Sequence, residues 1–189
     1  MQSTNPKLIV LLVLVIAFVG YLKISNPHKK YSQQAFWVSA TVDDVYAIPS
    51  EALLPGNKNG PVLLWAATTT TSPEVIAALV ARGAGINEQD TGLIFSGTPL
   101  SAAAGFNTNP LIIDELVKLG ADVHKVVGTK DKTALIIAAE INPVAAIVER
   151  LIHNGADTAY RDLTGRNALE QAIKFKNESV LDVLRAHTR

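Results

Sequence analysis

The tightest constraint on this chain's fold is an internal repeat. Thr98-Pro99-Leu100 leads through Ala102-Ala103-Ala104 to Asn109-Pro110. Thr133-Ala134-Leu135 leads through Ala138-Ala139 to Asn142-Pro143, and Pro61-Val62-Leu63 leads through Ala66-Ala67 to Ser72-Pro73. Asn167-Ala168-Leu169 leads through Ala172 to Asn177-Glu178. A second landmark follows in three of the units: Leu79-Val80 before Gly83-Ala84, Leu116-Val117 before Gly120-Ala121-Asp122-Val123, and Leu151-Ile152 before Gly155-Ala156-Asp157. Aligned on Ala66, Ala103, Ala138 and Ala172, the spacings are 37, 35 and 34 residues. Self-similarity at this period marks a solenoid in which each unit stacks on its neighbours.

Each unit reads as helix, tight turn, helix, loop. A Thr N-cap satisfies an orphan amide, and Pro at the first helical position has no amide to lose, so Thr98-Pro99 starts a helix. The alanines allow neighbouring helices to approach closely. Asn109-Pro110 reads as the same start device for a second helix. Leu111, Ile112, Leu116 and Val117 give that second helix an apolar face at helical spacing. Gly120 is expected to end it in a left-handed conformation.

The stretch from Thr98-Pro99-Leu100 to Leu116-Val117-Lys118-Leu119-Gly120-Ala121-Asp122-Val123 resembles the ankyrin repeat, with Ser101 and Ile136 standing where that family usually has His. The resemblance implies an all-α fold, an ankyrin-repeat solenoid of helix-turn-helix units over residues 57–189, with about three full repeats and a C-terminal cap. Glu170, Gln171, Lys174, Lys176, Glu178 and Arg185 give the last unit the polarity a cap needs. Residues 35–56 are expected as N-terminal capping helices, and 25–34 as a linker.

An apolar run, Leu8 to Leu22, follows a short tail over residues 1–7 and is bounded by Lys7 and Lys23. Extended to 8–24 it approaches the minimum length of a membrane span, and no usable cleavage site follows it. The expectation is an N-terminal transmembrane helix acting as a signal-anchor, single-pass in an inner membrane, with the soluble domain periplasmic.

Lys7, Lys23, Lys29 and Lys30 are the only charged residues among the first 30, which leaves 17 − 4 = 13 basic against 17 acidic residues in the remainder. That balance weighs against nucleic acid, which requires a basic face. Cysteine is absent, which removes disulfides and thiolate chemistry. His28, His124, His153 and His187 form no paired ligand motif, and Ser96 lacks a nucleophile elbow. No catalytic residue, cofactor, metal or small-molecule substrate is expected.

The resemblance implies a protein-binding module acting through loop tips and inner-helix residues that line a groove in the family. The candidates are Leu93, Ile94 and Phe95 in a long loop, Val126 and Val127 in the next, and Tyr160 and Arg161 in the last. Phe106 and Ile141, with Phe175, would form an apolar stripe just beyond the paired alanines. The expected partner is another protein in the same envelope compartment. The chain would then be an immunity or inhibitor protein, or an accessory factor for an envelope enzyme. The competing reading is a self-associating scaffold; an enzyme with a loop-built site predicts polar convergence that these loops lack.

Overall fold

The computed structural model describes residues 29–53, 61–91 and 96–187. Within the compact unit Tyr31–Arg189, four inner helices carry the alanine runs: α4 (Val62–Thr69), α6 (Pro99–Phe106), α8 (Ala134–Ile141) and α10 (Ala168–Phe175). Each is followed by an outer helix: α5 (Pro73–Ala81), α7 (Leu111–Lys118), α9 (Ala145–His153) and α11 (Leu181–His187). Inner helices stack on inner helices and outer on outer. Among the described residues, three short α-helices precede them: α1 (Gln34–Val38), α2 (Val42–Tyr46) and α3 (Ser50–Leu53). Of these, α1 packs on α4 and α2 on α5, which covers both layers of the first unit.

Side-chain size sets the two layers. Ala66, Ala67, Ala102, Ala103, Ala104, Ala138, Ala139 and Ala172 are all fully buried, so inner helices meet nearly backbone to backbone. Larger apolar residues fill the space between layers: Leu63, Leu100 and Leu135 from the inner helices, and Leu79, Leu116 and Leu151 from the outer ones. Each such burial is worth about 1.5–3 kcal/mol.

Local chemistry fixes the helix ends. Thr98 accepts from the Ser101 amide while Ser101 Oγ accepts from the Thr98 amide, a reciprocal cap at 3.3 and 2.8 Å. Asn167 and Glu170 repeat this cap on α10, and Thr133 caps α8. Pro61 offers no side-chain acceptor at the start of α4. At the end of α7, Gly120 has φ +99°, its amide donates to Val117 O, and the Ala121 amide donates to Leu116 O. Gly83 and Gly155 repeat this Schellman geometry after α5 and α9.

The expected start device is corrected: α7 begins at Leu111 with Pro110 at its N-cap rather than at the first helical position, and Asn109 Oδ1 accepts from the Leu111 amide at 3.1 Å. Asn142-Pro143 does not open the outer helix, because α9 begins at Ala145 with Val144 at its N-cap, and Asn142 caps the C-terminus of α8. Its counterpart is therefore Asn107, the C-cap of α6, and not Asn109. Asn107, Asn142 and Asn177 lie 35 residues apart and form a hydrogen-bond ladder through the stack. Asn107 Nδ2 donates to Ala67 O and Thr70 O at 2.8 and 2.9 Å. Asn142 Nδ2 donates to Ala104 O and Asn107 O, both at 2.9 Å. Asn177 Nδ2 donates to Ala139 O and Asn142 O at 3.1 and 2.8 Å. The last unit keeps this register although its N-cap follows the previous one by only 34 residues, Thr133 to Asn167. Lys176, left-handed at φ 58°, supplies the missing residue.

The transmembrane part of the expected fold class is withdrawn. Among the described residues no helix is long and apolar enough to cross a membrane. The longest helices of the stack, α5 and α9, have 9 residues, about 14 Å at 1.5 Å per residue against a hydrocarbon core of about 30 Å. The segment 8–24 itself lies outside the described residues.

Candidate functional site

The final residue of each inner helix occupies one repeated position, eight after the cap: Thr69, Phe106, Ile141 and Phe175. Phe106, Ile141 and Phe175 are 48%, 46% and 48% exposed, whereas the alanines two or three positions earlier in the first three inner helices are fully buried. The row holds together because the helices are close. A Cβ placed on Gly105 would lie 3.1 Å from Ile137 Cγ2 and 3.2 Å from Ile141 Cδ1. Ile141 of α8 thus lies over the backbone of α6 beside Phe106, and Gly105 is the residue that admits it.

The position before the row is Thr68, Gly105, Glu140 and Lys174 in turn, polar in every unit but the second. Thr68 is buried and donates to Trp65 O at 2.7 Å. Glu140 forms an ion pair with Lys132, which reaches α8 from a hairpin closed by the Val127–Lys132 bridge. Lys174 places Nζ 5.2 Å from the centroid of the Phe175 ring. Two acceptors in this region, Glu140 Oε1 and Gln171 Oε1, are buried with no donor.

The hairpins are tied to each other. Leu163 N donates to Lys130 O at 3.0 Å, and Tyr160 Oη donates to Asp131 O at 2.9 Å. Burial and the nearby carboxylates of Asp131 and Asp162 push the Tyr160 phenol above its ordinary pKa. Arg161 holds Glu170 in a fork at 2.6 and 3.1 Å. That contact and the Asn167 amide lower the Glu170 pKa. Asp162 is buried. Burial alone would raise its pKa, but hydrogen bonds from the Thr164 hydroxyl, the Gln171 side chain and the Arg166 and Thr164 amides outweigh it, and the pKa is lowered.

The expected site residues are placed unequally. Phe106 and Ile141 are exposed and share one face. Arg161 is exposed but committed to Glu170. Tyr160 is half-buried, its ring packed against the core. Val126 is half-buried. Val127 is corrected: it is 3% exposed, because the hairpin bridge turns its side chain inward, and it offers no contact surface. Leu93, Ile94 and Phe95 lie outside the described residues. The Glu140–Lys132 pair and the Asp162 network have no motif that announces them, whereas the asparagine ladder leaves a plain 35-residue spacing.

Among the described residues, no three His, Cys, Asp or Glu side chains come together to hold a metal. His153 and His187 line an open cleft between α9 and α11 with Glu149, Arg150 and Ile152.

A family model described as ankyrin repeats, in three copies, matches residues 63–162 and 100–188. No curated protein matches the chain.

Proposed function

The chain belongs to the ankyrin-repeat family and is a protein–protein interaction module; from that premise we propose that it engages its partner through the inner-helix face bearing Phe106, Ile141 and Phe175. The family is in general a non-enzymatic scaffold. The observation that carries the proposal is the exposure of three large apolar side chains at one equivalent position in successive units. About half of each side chain faces solvent, and exposed apolar surface grouped in this way is characteristic of interaction sites. Apolar and aromatic anchors at the centre of an interface supply much of its binding energy, about 2 kcal/mol or more at a hot spot.

Such a module would serve either as an inhibitor that neutralises a toxic enzyme or as an accessory factor that supports one. The test is capture by the full chain compared with capture by its Phe106→Ser/Ile141→Ser variant, with identification of what is retained. The proposal requires proteins that the variant no longer retains at an unchanged melting temperature. Identical retention by both chains would place the binding surface elsewhere. A chain that dimerises in the wild type and not in the variant would identify the face as a self-association surface instead.

A further inference from the structure

The charges around the exposed row specify what kind of segment fits it. On the inner-helix side of the last two units, and at the turn that follows the last inner helix, the carboxylates are Asp131, Glu140, Asp162, Glu170 and Glu178. Glu140 is paired with Lys132 and Glu170 with Arg161. Asp162 is buried and accepts from Thr164, Gln171 and the Arg166 amide. Arg166 donates to Thr164 Oγ1. Three lysines remain exposed with no carboxylate on them: Lys130 at the hairpin tip, Lys174 against Phe175, and Lys176 immediately after it. Against these stand the Asp131 carboxylate and that of Glu178, two residues after Lys176.

Resting on the reading of this face as the binding surface, we propose that its occupant is an extended protein segment with apolar anchors and acidic residues between them, the acidic end lying over Phe175. Neighbouring packed helices lie about 8–10 Å apart. A polyproline II segment advances about 3.1 Å per residue with three residues per turn, so every third side chain returns to the same side. One anchor for each inner helix therefore falls at every third residue of the segment. The intervening carboxylates meet Lys130, Lys174 and Lys176, while the anchors meet Phe106, Ile141 and Phe175. Lys174 serves both, because its ammonium lies 5.2 Å from the centroid of the Phe175 ring and can meet an acid beside the anchor seated there.

The test uses three labelled synthetic peptides of one length, Leu-x-x-Leu-x-x-Leu, in which x is Glu, Lys or Ser, titrated against the full chain. The Glu peptide binds about tenfold tighter than the Lys peptide at low salt, the advantage shrinking as salt is raised. In a K130E/K174E/K176E variant the order of the Glu and Lys peptides inverts. Equal or tighter binding of the Lys peptide, or no measurable binding of the Glu peptide, overturns the proposal. The Phe106→Ser/Ile141→Ser variant separates this from the reading beneath it. If all three peptides bind alike and all are lost in that variant, the face stands and the acidic preference falls. If the variant binds every peptide as the wild type does, both fall.

Discussion

The Asn142 side-chain amide donates to the backbone carbonyl of Asn107, its counterpart one unit earlier, at 2.9 Å. The same NH2 reaches Ala104 O, and Asn142 Oδ1 accepts from the Val144 amide. One buried side chain thus closes the turn of its own unit and fastens that unit to the one before. Asn142→Ala leaves two buried carbonyls and one amide without partners, at about 1–3 kcal/mol for an unsatisfied group, partly relieved by water. A loss of about 2–4 kcal/mol in urea denaturation is expected. A loss under about 0.5 kcal/mol, the size of a neutral surface change, would show that the ladder does not couple the units.

Gly120 tests the helix ends. A Cβ there would touch nothing within 4 Å, so the whole cost of a side chain is its φ of +99°. Gly120→Ala and Gly120→Val should both destabilise the fold, by about 1–3 kcal/mol. Since no packing is disturbed, calorimetry should show a lowered Tm with little change in the capture profile. An unchanged Tm would mean that the turn relaxes into another conformation.

Asp162 makes stability depend on acid. Its folded pKa lies below the ordinary carboxylate value of about 3.9. The stability it contributes is present above the unfolded pKa and is lost as pH falls through the folded one. Tm should fall on acidification below about pH 4. Asp162→Asn should be less stable at neutral pH and show a shallower acid slope, because the group that must be protonated is gone. Parallel slopes in the two chains would assign the acid sensitivity to other carboxylates.

The repeat frame was legible because its marks are local. A Thr cap or a Gly after a Leu-Val pair acts on the few residues around it, and the structure uses them at Thr98, Thr133, Gly120 and Gly155. What escaped depends on neighbours. Asn142 followed by Pro143 looks like Asn109 followed by Pro110, and only the partner carbonyls on α6 show that Asn107 is its true counterpart. Val126 and Val127 are alike in sequence, and the hairpin bridge decides which one is buried. Phe106 and Ile141 were readable as a stripe because their position repeats. That they stay exposed follows from the depth of the alanine packing beneath them.

The binding face is tested most directly by amide hydrogen exchange on the full chain, with and without a protein that it captures. Protection should concentrate on the C-terminal turns of α6, α8 and α10 and on the hairpin between Val127 and Lys132, with α5, α7 and α9 exchanging as before. Protection confined to the outer helices, with the turns carrying Phe106, Ile141 and Phe175 unchanged, would contradict it.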